Sequence, residues 1–555
     1  MSTPAHPSVP PHTSEPSASK STLSWWALRL GGALALAWFL LRVIPKPSRA
    51  TYPCQRAAFP IAAGFVAWLL GAWGSLLAWR MARRHLRETR WVTAAVFLSV
   101  AFATGTVVFV NAPAGQIFAQ TEPPTQPTFS PTEPVNTPMG VAFGVKPGRV
   151  AWAFDPKATT WDGKNNAPGW WDDANTHPEV VAKMMSDTIR SVGDAASDQA
   201  AWRKIFTDFN QRKGKGAVGY KPGEKIVIKL NLNQSHDHGD GAYASYITPQ
   251  LVQALLRQLV QAGVAPADIT CYDAIRHVPG TIFDRATKEF PGVHFVDTSG
   301  ADGREKAAPD LTKPLVLAQG DLTFYFPTCV TQAEYMINVA GLKGHGLAGM
   351  TVCAKNHLGS IFKADGTPGA RDLHPTIATK PGRPGRGPTI VPQAIGSYNS
   401  LVDLCGHQQT GGKTLLYMID ALYATKHNEY RLDPSCKWES APFGGNWTAS
   451  LFASQDGVAI DSVALDFLRN EPTLATIVTG TVDNYLHEMA LADHAPSKTA
   501  YDPEKDGKPL QSLGVHEHWN NAADKKYSRN LGTGSGIELV ALNAKPVPGV
   551  AMTER

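Results

Sequence analysis

Hydrophobic positions fall into three long apolar runs near the start of the chain, and later into short apolar runs alternating with amphipathic segments. The runs 25–44, 60–79 and 91–110 each approach the ~20 residues that cover a bilayer core. Tryptophans stand at the edges of the second and third, where interfacial anchors belong. Three transmembrane helices are expected there, the first with Arg29 one turn inside it. From residue 149 the period changes. The pattern predicts a strand over 149–154, helices over 178–192 and 198–209, then strand 225–230, helix 249–262, strand 268–273, helix 281–289 and strand 293–297. Further strands are expected at 335–339, 414–420 and 450–453, the last feeding a helix over 456–468. Strand–helix–strand in that rhythm means right-handed crossovers. The expected fold class is α/β: three N-terminal transmembrane helices, then a mostly parallel or mixed twisted sheet flanked by helices.

Composition divides the chain. Residues 1–23, rich in Pro, Ser and Thr, read as disordered. Residues 24–111 form the expected three-helix membrane anchor, 112–145 a Pro/Thr-rich stalk, and 146–555 the folded domain. Eleven Lys+Arg against two acids lie within 1–111, and the remainder holds 41 Lys+Arg against 45 Asp+Glu. The net charge of +5 is thus an N-terminal property, and no basic face for nucleic acid is expected on the domain. The basic segment MARRHLRETR at 81–90 should face the cytoplasm, and 111–145 holds no Lys or Arg. Lys46, Arg49 and Arg56 in the first loop pull the other way. The expectation is a multi-pass protein of the cell's inner membrane, partnered by the bilayer, with the large C-terminal domain extracytoplasmic. Six cysteines without a C-x-x-C spacing point away from an iron–sulfur or zinc-ribbon site. Cys405 and Cys436 read either as a pair in an oxidising compartment or as inert thiols.

Candidate chemistry concentrates in 335–362, YMINVAGLKGHGLAGMTVCAKNHLGSIF. An apolar strand gives way to a glycine-spaced turn with Lys343 and His345, then to a helix with Lys355 and Asn356. The carboxyl ends of strands in open α/β sheets are where ligands bind. Cations there suit a carboxylate or phosphate, or a desolvated lysine acting as base or nucleophile. Lys229 and Asn231, and Asp273 with Arg276 and His277, fall at the ends of neighbouring predicted strands, with Thr351 and Gly359 nearby in the central stretch. Asp420 ends a buried strand, where its carboxylate needs a partner such as Lys343 or Lys355. Asp456 reads as a helix cap, Asp461 as facing either way, and His374 as a late arrival from a loop. His236 and His238, in SHDHGD, offer imidazoles to a divalent metal or else line a polar loop. His516 and His518 share a face if their segment is a strand, and read as metal ligands or as polar groups facing solvent. Gly411-Gly412-Lys413-Thr414 is not a phosphate-binding loop, because it lacks the first glycine and precedes a strand.

Several separated blocks resemble the family called domain of unknown function 362. They are Ile228-Lys229-x-Asn231, Thr248-Pro249, Lys343-x-His345 with Thr351, Lys355-Asn356 and Gly359, Tyr417 to Ala421, and Ser454 to Asp461, spanning 149–468 in the family's order. The resemblance implies an α/β domain without a settled activity. Some relatives carry a ferredoxin-type module whose cysteines this chain lacks, and the usual Lys-Pro-Asn reads Lys229-Leu230-Asn231. A fainter likeness to lactate-racemase-like enzymes, which use a nickel-pincer cofactor, rests on His345, Ala348-Gly349, Thr351 and Lys355. The sequence therefore leads to an enzyme acting on a small anionic substrate, with Lys343, His345, Lys355, Asn356 and Asp420 as catalytic candidates. Lys229, Asn231, Asp273, Arg276, His277, Thr351 and Gly359 are the substrate-binding candidates, and a divalent metal is an open cofactor. The alternatives are a non-catalytic module that binds an anionic envelope component, and a racemase- or isomerase-like enzyme with a metal cofactor.

Overall fold

The computed structural model describes residues 133–542 except 165–167, 236–244, 347, 378–392, 427–430, 475–476 and 479–480, with scattered helical residues between 33 and 99. The chain divides into two units, Met1–Pro123 with Arg383–Gly387, and Pro124–Gly382 with Pro388–Arg555.

The first unit corrects the expected membrane anchor. Among the described residues no helix is long and apolar enough to cross a membrane. A crossing needs ~20 continuous apolar residues. The longest unbroken described stretch there, 76–85, is a helix that includes Arg80, Arg83 and Arg84, charges that are costly in hydrocarbon. Most of 25–44, 60–79 and 91–110 lies outside the described residues. The three transmembrane helices, and with them the bilayer as partner, are not retained.

In the second unit, ten of the described strands form one mixed sheet. Its first five members are β1 (Arg149–Phe154), β2 (Ile226–Leu230), β3 (Ile269–Tyr272), β4 (His294–Asp297) and β5 (Glu305–Lys306). The others are β6 (Tyr335–His345), β7 (Gly349–Thr351), β8 (Thr414–Thr425), β9 (Ser450–Ser454) and β10 (Glu538–Leu542). The order is β10-β1-β9-β8-β6-β2-β3-β4-β5, with β7 added to β6 as a hairpin. The run β8-β6-β2-β3-β4-β5 is parallel, while β9 runs against its neighbours β8 and β1, and β7 runs against β6. Parallel strands are buried on both faces and read as continuous apolar runs, as IVIKL of β2 does with every residue buried.

Helices α1 (Pro178–Val192), α2 (Asp198–Arg212), α3 (Pro249–Gln261) and α4 (Gly280–Glu289) follow the predicted spacing to within a turn. Proline opens α1 and α3, where a missing N–H costs nothing. A short helix α5 (Cys353–Asn356), a long one α6 (Gly457–Asn470) and α7 (Asn484–Ala490) complete the elements that matter for the site. Asp456 caps α6 through Val458 and Ala459, and its carboxylate also accepts Phe143 N and Val515 N. Upstream, Met139–Gly140 pairs with Val515–His516.

The strand at 335 runs further than its apolar core. Lys343 and His345 lie on β6 itself, not in a turn, because β6 gains β7 as an antiparallel partner (Thr351 opposite Lys343) and a bulged edge of β8 on its other side. Gly344 serves that close approach: a Cβ there would lie 2.2 Å from the Lys426 carbonyl oxygen. Cys405 and Cys436 are both free thiols.

Candidate functional site

Because β2, β3, β6 and β8 run parallel, their carboxyl ends share one rim of the sheet. Lys229, near the end of β2, is fully buried. Its ammonium is held by the Leu230 carbonyl (2.6 Å), Asp273 Oδ2 (3.1 Å) and Asn356 Oδ1 (3.2 Å). Burial pulls the Lys229 pKa down, and Asp273 opposes that pull. Three donors thus meet three acceptors, so Lys229 ties β2, the end of β3 and α5 together. The same net continues through Asn356 Nδ2 to Asn338 Oδ1 (2.8 Å) and the Val339 carbonyl (3.1 Å). Gly359 permits it: a Cβ would fall 2.7 Å from Lys229 Nζ.

Lys343 sits differently. It lines a narrow cleft with Asn231, Thr248, Asp420, Trp170 and Tyr423, whose free space holds about one water molecule. Among the described residues its ammonium has no hydrogen-bond or ion-pair partner. Burial, helped by the Arg276 and Lys229 charges, pushes its pKa down to about 8 although Asp420 pulls the other way. The aromatic wall explains the desolvation, since Trp170 packs at 5.8 Å from Tyr423 and 4.9 Å from Tyr246. Asp420, expected to orient a lysine, is engaged elsewhere. Its carboxylate accepts Thr248 N (2.6 Å), the Thr248 hydroxyl and Leu422 N (3.0 Å), the last made possible by the bulge after Asp420. It reaches Lys343 only through space. Asn231 Oδ1, in the same cleft, is buried and has no hydrogen-bond partner among the described residues.

Lys355, on α5, lines a second narrow cleft with Ala348, Met350, Asn399 and Tyr485. Its Nζ lies 3.4 Å from His374 Nε2. His374 Nδ1 is 2.9 Å from the Ala370 carbonyl, an oxygen that only accepts, so Nδ1 bears the proton and the Nε2 lone pair faces the lysine. Burial, then the charges of Lys343 and Arg276, bring Lys355 down to about 7. Burial and the Lys355 charge bring His374 down to about 4. His345 stacks on His374 with ring centroids 5.7 Å apart. The turn is fixed from below: Asp461 on α6 accepts Cys353 N and Ala354 N, both at 2.9 Å.

The remaining candidates divide. Arg276 stays near enough to repel both lysines, but its guanidinium is tied to Asn233 and the Ile275 carbonyl. Thr351, opposite Lys343 on β7, keeps a buried hydroxyl without a partner among the described residues. His277 is half-buried and lines neither cleft. His236 and His238 lie outside the described residues. Lys413 of the rejected phosphate loop donates to the Val330 and Ala333 carbonyls. Sequence reasoning missed Asn338 and Thr248 as supports and left the direction of Asp461 open. The Thr-Pro start of α3 was the signal for Thr248.

Residues 226–466 match the family model described as Domain of unknown function (DUF362), and the match covers every residue of both lysine environments named above except Trp170 and Tyr485. No curated protein matches the chain at a significant level.

Proposed function

We propose that this chain, which carries a DUF362 domain, is an enzyme that moves a proton on a small anionic substrate. The observation that supports this reading is the pair Lys343 and Lys355. Lys343 is buried and Lys355 partly buried, neither has a carboxylate within ion-pair distance among the described residues, and each borders its own cleft. A buried cation without a counter-ion is costly, and it either sheds its proton or acquires an anion. The shared field of Lys343, Lys355 and Arg276 favours the anion. Lys343, at about 8, keeps its charge at neutral pH and holds the anionic group. Lys355, at about 7, is poised between its two forms and serves as general base. His374 accepts a hydrogen bond from Lys355 at Nε2 and so orients its amine, and His345 holds the His374 ring in place by stacking. Lys229, Asn356 and Asp273 position the turn and do not touch substrate. A module that only bound an anion would have no use for a lysine desolvated close to neutrality.

Incubating the full chain with lactate, malate, succinate and glutamate in deuterium oxide, followed by proton NMR, tests the reading. Loss of a carbon-bound hydrogen signal is expected for at least one of them. The Lys355→Met variant should slow it by roughly 10²–10⁴-fold, the usual worth of a general base. Exchange at the unaltered rate in Lys355→Met would remove that lysine from the chemistry. A chain that binds these anions and exchanges nothing would be a binding module.

A further inference from the structure

A second cluster stands apart from the lysine clefts, and all four of its members lie in segments that the family match does not reach. His516 ends the short strand paired with Met139–Gly140, and His518 follows two residues later. Both are buried. His516 Nδ1 is 2.8 Å from Ser462 Oγ, whose hydrogen goes to the Val458 carbonyl at 2.7 Å. The imidazole therefore donates from Nδ1, and its Nε2 is left as a buried lone pair without a partner among the described residues. His518 Nδ1 is 2.7 Å from Asp466 Oδ1, while its Nε2 lies 3.4 Å from Asp483 Oδ2. Asp466 is itself locked by Trp519 N and the Tyr527 hydroxyl. Asp483, at the start of α7, keeps a buried Oδ1 with no partner among the described residues, and its Oδ2 takes Arg469 at 3.0 Å. Glu133 completes the group, 2.8 Å from His487 Nε2. One ligand atom from each of Glu133, Asp483, His516 and His518 lies within 4.8 Å of all the others.

We infer that these four side chains bind one divalent first-row cation of the zinc type. Tetrahedral zinc with nitrogen and oxygen ligands at about 2.0–2.1 Å places those ligands about 3.3 Å apart, so the observed set needs only a modest contraction. The supporting shell is the one such sites use: each imidazole donates its other N–H to a fixed oxygen, which sets the tautomer and aims Nε2. Charge agrees. Glu133, Asp466 and Asp483 against Arg469 leave two negative charges, the amount a divalent cation neutralises. The donor set contains no sulfur, which suits zinc, manganese or iron(II) over copper(I). With the histidines and Asp483 buried and four protein ligands, the site is closed, as structural sites are. It clips the 133–140 segment and the 515–518 segment onto α6 and α7.

The rival is a proton in place of the metal, with His518 as a cation between Asp466 and Asp483. Elemental analysis of the natively purified full chain separates the two, followed by chelation and titration with Zn²⁺ and, separately, Co²⁺. About one equivalent of divalent metal per chain is expected, with a lower melting temperature after chelation that Zn²⁺ restores. His516→Gln and Asp483→Asn should lose the metal, and exposed His494→Gln should keep it. A chelated wild-type chain that takes up neither Zn²⁺ nor Co²⁺ overturns the assignment whatever the variants do. So does undiminished uptake in His516→Gln.

Discussion

Replacing Asp273 by alanine should destabilise the second unit by roughly 3–5 kcal/mol, the usual penalty for stripping one partner from a buried ion pair. Asp273 Oδ2 accepts both Lys229 Nζ (3.1 Å) and Leu232 N (3.2 Å), and Oδ1 accepts Ile275 N (3.2 Å). Without it the Lys229 ammonium, wholly buried, keeps only neutral acceptors at the Leu230 carbonyl and Asn356. The lysine would then discharge rather than stay charged, which caps the loss, since burial already depresses its pKa. Lys229→Met with Asp273→Leu should cost far less than Asp273→Ala alone, because a well-packed apolar pair replaces a buried ionic one at little net loss. Urea unfolding midpoints of the three proteins measure this. An Asp273→Ala chain within about 0.5 kcal/mol of wild type would mean that the pair does not hold β2 to β3.

Asp461→Ala carries the second large effect, and it separates stability from function. The carboxylate lies on buried α6 and accepts Cys353 N (2.9 Å), Ala354 N (2.9 Å) and the Tyr485 hydroxyl (3.0 Å). Truncation leaves three buried donors unmet, at about 1–3 kcal/mol each, so a loss of roughly 3 kcal/mol or more is expected. Lys355 follows Ala354 directly, and the backbone that aims it is the part set free. Anion binding measured well below the melting temperature should therefore fall at least tenfold, while Asp456→Ala, which frees α6 and not α5, should cost stability with a smaller effect on binding. Equal binding losses in the two variants would contradict a specific role for Asp461 in placing Lys355.

The sequence showed the rim more clearly than the clefts. Strands such as 226–230 and 335–339 were legible because both faces are buried and the runs are continuous in hydrophobicity. Once those strands were parallel, Lys229, Asp273, Lys343 and Asp420 had to share an edge, and they do. What stayed hidden depends on contacts between distant segments. Gly341 and Gly344 signalled a turn, yet β6 continues through them, and Gly344 lets the neighbouring backbone approach. Asp461 could not be aimed from its spacing because α6 is buried on every side from Val458 to Leu468. The partner of Asp420 is Thr248 rather than a lysine, a choice set by where α3 begins. The long N-terminal apolar runs answered only to hydropathy, and the described helical residues there do not support a span.

The central claim is that Lys343, buried, and Lys355, partly buried, are cations awaiting an anion, and the pH dependence of binding tests it directly. Both lysines have folded-state values depressed from 10.5, to about 8 and about 7. The folded chain therefore gives up these protons before the unfolded chain does, and stability without ligand should rise from about pH 7 towards about 10, by up to about 1.4 kcal/mol per pH unit for each lysine. Anion binding must run the other way, because it needs the charged forms. Calorimetric titration with succinate, a dianion of nearly constant charge above pH 7, should show affinity falling steadily between about pH 6.5 and about 9, and nearly absent in Lys343→Met at any pH. Affinity that is flat across that range, or unchanged in Lys343→Met, would contradict the account.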